Sequence, residues 1–182
     1  CSNPHPHGQI WAQRSIPQEV QKKVIQQKKY WERHGSSLLG DYLNQEAQTD
    51  QRIVLENDTF VALVPYWAVW PFEAMIVPKK HRASIADLSA KEVADYADVL
   101  KKLTIRYDNL FETSFPYSAG IHQAPTNREE NQFWHMHMSF YPPLLRSAEV
   151  KKFMVGYATF ANPHRDITAE QGAQRLKECS EI

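Results

Sequence analysis

The chain has 182 residues, 42% of them apolar and 23% charged, the balance of a folded globular protein and not of a disordered one. Lys plus Arg and Asp plus Glu number 21 each, so the basic excess expected of a nucleic-acid binder is missing. No apolar run approaches the ~18 residues of a membrane span, and Cys1 and Cys179, at opposite ends, read as reduced thiols of a cytosolic protein, not as a disulfide framework.

The first residue is Cys, and the chain opens inside the segment CSNPHPHGQIW, so it is expected to be the C-terminal part of a longer protein. Pro4, Pro6 and Gly8 make residues 1–12 a loop entering a strand. From Pro17 the pattern turns helical: Val20, Val24, Tyr30 and Trp31 form a stripe over 17–33, and Gly35 stops it. Lysines 22, 23, 28 and 29 read as the solvated face of that helix. A short helix over 37–48 is expected next. Strands follow at 53–56, 59–65 and 72–78, with Asn57 and Asp58 turning the first pair into a hairpin or meander.

Ser89 and Glu92 have the spacing of a capping box, opening a long helix to near Phe111 with Val93, Tyr96, Leu100, Leu103 and Tyr107 on one stripe. Residues 117–122 and 133–141 read as strands, the second stopped by Pro142 and Pro143. Residues 152–156 read as a short strand or turn, and Thr168 with Gln171 opens a terminal helix to about Cys179. The sum is an α+β fold, an antiparallel sheet with helices on one side and at one edge. There is no solenoid period, but His5-Pro-His7-Gly-Gln9 is echoed by His135-Met-His137-Met-Ser139.

Most of the chemistry-bearing residues are histidines. Five of the eight fall in the two His-x-His pairs plus His122. On extended backbone, residues two apart face the same way, so each pair can present two imidazoles together. Two such rings bind a metal, or divide into a nucleophile and its support. Around His5 and His7, prolines stiffen the loop, Gly8 allows close approach, and Ser2, Asn3 and Gln9 supply neutral donors suited to a phosphate. Imidazole attacks phosphorus well when one nitrogen is free and the other is hydrogen-bonded. The bland alternative is a proline-rich turn with incidental histidines. For His122, His135 and His137 the alternatives are a zinc or iron site and a set of satisfied strand histidines. His34 and His81 read as structural. Arg146, Lys151 and Lys152 form either a solvated basic loop or an anion contact, and nothing beyond the nearby imidazoles would activate Cys1.

CSNPHPHGQIWA closely resembles the active-site segment of galactose-1-phosphate uridylyltransferases, of the histidine-triad superfamily. VPYWAVWPFEAMIVPKKH, LKKLTIRYDNLFETSFPYS and FYPPLLRSAEVKKFMVGY resemble the C-terminal half of the same enzymes, so the likeness covers nearly the whole chain. It implies two triad-type domains, with residues 1–16 the tail of the first and 17–182 the second. It implies that His7 attacks the α-phosphorus of UDP-glucose and that galactose 1-phosphate then takes the uridylyl group. Gln9, Cys1 and Ser2 would line the phosphate site, and His5 would be a structural zinc ligand completed by residues upstream. Lys152, Phe153, Val155 and Tyr157 would contact sugar phosphate across a homodimer.

The resemblance also implies a second metal site, built in some members from a Glu on the first helix and three histidines. Here those positions hold Lys23, His122, His137 and Ser139, so two ligands are replaced, Lys23 repels a cation, and His135 is an added imidazole. Ala158 and His164 replace a Glu and a Gln that contact sugar hydroxyls, which bears on hexose preference. Two further readings stand beside the transferase: a nucleotide hydrolase or phosphorylase of the same superfamily, against which Gln9 argues, and a half-protein that only dimerises. The isolated piece is expected to be nearly inactive, because the uridine pocket and the remaining zinc ligands would lie upstream.

Overall fold

A computed structural model describes residues 5–8, 10–127, 130–152, 155 and 161–182. In chain order its elements are α1 (Gln18–His34), α2 (Leu38–Thr49), β1 (Ile53–Glu56), β2 (Phe60–Leu63), β3 (Ala74–Pro78), α3 (Ala90–Leu110), β4 (Ser118–His122), β5 (His137–Tyr141) and α4 (Ala169–Lys177). Local chemistry sets most of the helix ends. Gly35 takes a left-handed φ of 70° and donates its N–H to Trp31 O, closing α1. Ser89 with Glu92, and Thr168 with Gln171, form reciprocal capping boxes at the starts of α3 and α4.

The strands form one antiparallel sheet in the order β1-β2-β3-β5-β4. The first three make the expected meander. The chain then runs through α3 to β4 at the sheet edge and returns through β5, which slots between β3 and β4.

Helices were expected on one side of the sheet and at one edge; the structure corrects this. Phe60, Ala62, Ala74 and Ile76 face a core with Val99, Leu103, Tyr107, Ala173 and Leu176 of α3 and α4. Their neighbours Val61, Leu63, Met75 and Val77 face a second core with Leu39 and Leu43 of α2. The physical reason is that β2 and β3 are apolar at consecutive positions. Strand side chains alternate between faces, so both faces must be taken out of water, at about 1.5–3 kcal/mol for each large apolar side chain buried.

Two local features prepare the site. Phe72 sits at a φ of 59°, unusual for a side chain with a Cβ. Its carbonyl accepts from Tyr107 Oη at 2.7 Å, and its ring lies edge-on to Phe111 and Phe115 with the Arg175 guanidinium 4.8 Å away. This clamped turn sends Phe72 into one core while Glu73 lines a cavity with residues of α1 and α2. The second feature shortens β5, which starts at His137 and not at 133. Met136 N bonds Arg82 O and His135 N bonds the Gln27 side chain, so those groups are not available to a strand ladder.

Candidate active site

His5 and His7 lie exposed on irregular backbone, with ring centroids 6.0 Å apart and planes at 66°. His7 Nδ1–H donates to His5 O at 3.1 Å. That bond selects the tautomer whose Nε2 carries the lone pair, which is the arrangement an imidazole nucleophile needs. Of the other residues read as lining the phosphate site, Cys1, Ser2 and Gln9 lie outside the described residues.

The second pair repeats this bond and then departs from it. His137 Nδ1–H donates to His135 O, again at 3.1 Å. Its Nε2 accepts from Lys23 Nζ of α1 at 3.1 Å. Its ring stacks on His122 at 4.9 Å and lies 6.2 Å from Trp134. Lys22, Lys28 and Lys29 are solvated, as expected, but Lys23 is turned inward. Desolvation lowers its pKa, opposed by the charges of Glu19 and Glu73. Lys23, Gln27, Trp67, Glu73, His137 and Ser139 border a cavity of about 390 Å³ between the helices and the sheet. Burial raises the pKa of Glu73, against the N–H donations of Val69 and Trp70 and the charges of Lys23 and Lys152.

His135 does not face that cavity as a ligand. It is wholly buried, its Nε2–H donating to Pro78 O at 2.9 Å and its Nδ1 accepting from Ser37 Oγ at 2.8 Å. Ser37 Oγ in turn accepts from Gly40 N as the N-cap of α2. His135 therefore ties α2 to the end of β3. Ser37→Ala removes the cap and orphans a buried ring nitrogen, and is expected to cost about 1–3 kcal/mol in urea unfolding.

The three imidazoles together predict acid sensitivity. Burial is the first cause in each case, and holds His122 and His135 down to about 4 and His137 to about 3, from 6.5. As pH falls below about 6.5 an unfolded chain protonates these rings and the folded chain does not, so the unfolded state binds more protons. The stability present above about 6.5 is thus lost progressively toward pH 4, by roughly 3 kcal/mol for His135. Urea midpoints between pH 7.5 and 4.5 check this, and a flat profile would refute it. His135→Gln should flatten the slope.

Lys152, read from the resemblance as a sugar-phosphate contact, is placed otherwise. Its ammonium is buried, 2.7 Å from Asp166 Oδ2, and donates also to His164 O at 2.6 Å and Val69 O at 3.0 Å. All three of its N–H donors are taken by internal acceptors. Val155 is exposed, while Phe153, Tyr157 and Ala158, with Gly156 of the expected turn, lie outside the described residues. His164 Nδ1 lies 3.8 Å from Asp166 Oδ1. Asp166, Glu73 and Ser37 were not singled out in the sequence. Only Ser37 carried a local signal, as the residue opening α2.

Comparison with known proteins decides the family. The family model described as galactose-1-phosphate uridyl transferase, C-terminal domain, matches residues 23–182. The chain belongs to this family. Galactose-1-phosphate uridylyltransferase of Haemophilus influenzae is 54% identical over 182 residues, covering 100% of this chain and 52% of that protein. That of Rattus norvegicus is 46% identical over 185 residues, covering 100% and 49%. A solved uridylyltransferase structure superposes with a TM-score of 0.80 at 31% identity, covering 90% of this chain and 51% of that one. The chain therefore spans about half the length of the curated relatives it matches. Within this uridylyltransferase-family chain, the His7 segment precedes the matched domain, and the His137 cluster lies inside it. No group of three or more His, Cys, Asp or Glu among the described residues could hold a metal ion, and no described helix is long and apolar enough to cross a membrane.

Proposed function

We propose that the protein containing this chain is a UDP-glucose–hexose-1-phosphate uridylyltransferase whose nucleophile is His7. The observation that carries the reading is the His7 Nδ1–H bond to His5 O, which leaves Nε2 to attack; family membership supplies the substrate class. Nε2 forms a bond to the α-phosphorus of UDP-glucose, and the bond from that phosphorus to the bridging oxygen breaks, releasing glucose 1-phosphate. A phosphate oxygen of galactose 1-phosphate then attacks the uridylyl-histidine, giving UDP-galactose and restoring the imidazole. Each half-reaction conserves the phosphoanhydride-level bond, so the exchange needs no external energy source.

In this reading Cys1, Ser2 and Gln9 hold the phosphate, and Phe153, Val155 and Tyr157 approach the sugar phosphate across a homodimer. Lys152, enclosed with Asp166, shapes the start of that segment from within. His5 is exposed, so its ring is accessible as one ligand of a structural zinc. The other ligands would come from outside the described residues, and zinc would supply rigidity to the loop that carries His7. The enzyme would work in the cytoplasm, in galactose metabolism.

The test uses the full-length protein. It is incubated with UDP-glucose labelled on the α-phosphate, without acceptor. Acid-labile, base-stable label on protein is the expected result. Steady release of UMP without labelled protein would make water the acceptor and overturn the transferase reading.

A further inference from the structure

The two His-x-His pairs share one internal bond and differ in what meets the second ring. In both, Nδ1 of the second histidine donates to the carbonyl of the first at 3.1 Å, which directs the lone pair to Nε2. At His7 that nitrogen is on an exposed ring. At His137 it accepts from the Lys23 ammonium at 3.1 Å. We propose that Lys23 is the resident cation of the second pair, carried covalently by α1 in the place where the family resemblance implies a metal ion, and that this site takes up no divalent metal.

An imidazole nitrogen has one in-plane lone pair. A zinc ion would sit on it at about 2.0–2.1 Å. The Lys23 ammonium already takes that nitrogen at 3.1 Å, so an ion bound there and this hydrogen bond exclude one another. Sharing the region would also set a divalent charge within a few ångströms of a lysine. The remaining donors are poor ligands for a competing ion. Ser139 offers a neutral hydroxyl, and Glu73 already accepts two backbone N–H groups through Oε2. Glu73 carries the opposite charge on the same cavity and supports the ammonium as counterion. His122, stacked on His137, supplies a second ring without a third and fourth ligand. The result is a link between α1 and β5 that needs no metal supply.

The experiment measures metal content of the whole protein after chelator treatment and dialysis against micromolar Zn²⁺. Wild type and His137→Ala are expected to hold equal equivalents. One equivalent more in wild type would overturn the proposal. Because His137→Ala removes a buried ring, a second measurement uses wild type alone: nitrogen-15 spectra of labelled histidine during Zn²⁺ titration. The His137 Nε2 signal should stay unmoved, and a shift saturating at one equivalent would overturn the proposal. Conversely, Lys23→Glu with Ser139→His rebuilds a ligand set and should gain one equivalent. A folded double variant that gains none would show that Lys23 does not stand in an ion's place. These readouts are independent of uridylyl transfer, so they separate this inference from the role of His7.

Discussion

Replacing Asp166 by alanine is expected to destabilise the fold by about 3–5 kcal/mol, the cost of leaving a buried charge without its partner. The Lys152 side chain is 1% exposed and that of Asp166 is 6%, so water cannot screen the ammonium once the carboxylate is gone. Two carbonyls, Val69 O and His164 O, would remain as acceptors, but dipoles do not neutralise a charge. Asp166→Asn should fall between wild type and alanine, since the amide oxygen can still accept. Lys152→Met strands the equally buried Asp166 carboxylate in turn and should cost a similar amount, whereas replacing both partners together should cost less than either single change. Urea unfolding at pH 7.5 checks the series, and a loss below about 1 kcal/mol for Asp166→Ala would sink the argument. The ion pair joins the two ends of the segment 152–166, so its loss should also raise KM for the sugar phosphate in the full-length protein. A direct phosphate contact by Lys152 would instead leave stability nearly unchanged.

His7→Ala is expected to lower uridylyl transfer by the full-length protein at least about 1,000-fold, because no covalent intermediate can form without the imidazole. His7 is exposed, so the same substitution should change folding stability by less than about 0.5 kcal/mol. The split between the two readouts is the signature of a residue that reacts and does not pack. Initial rates with saturating UDP-glucose and galactose 1-phosphate, together with thermal unfolding, measure both. A rate within tenfold of wild type would remove His7 as the nucleophile. The neighbouring carbonyl cannot be removed by substitution, so nitrogen-15 shifts check the tautomer and should show the His7 proton on Nδ1.

Some of this was legible along the chain because its cause is local. A glycine after an apolar stripe ends α1 by taking left-handed backbone, and Ser89–Glu92 and Thr168–Gln171 cap helices through bonds spanning three residues. The meander follows from short apolar strands joined by turn residues. The His-x-His spacing implies paired rings, which holds for His5 and His7 but not for His135, whose ring bonds Ser37 and Pro78 while His137 stacks on His122; the long motifs imply the family. For Lys23, sequence gave two pointers that disagreed: a lysine run on a helix reads as solvated, while the resemblance set Lys23 among the metal-site positions.

Local sequence signals thus set most of the helix ends and the α+β class, and singled out His7 as the nucleophile proposed here. The fold alone decided that β2 and β3 are covered on both faces, because a run of apolar residues does not say what packs on each side. It decided that Lys23 meets His137 across 114 positions of chain, and that Lys152 meets Asp166 and Val69 inside the fold. Those contacts depend on which helix lies over which strand. Burial then turns each of them from a weak surface attraction into a strong constraint, since a charge withdrawn from water must find its partner within the protein.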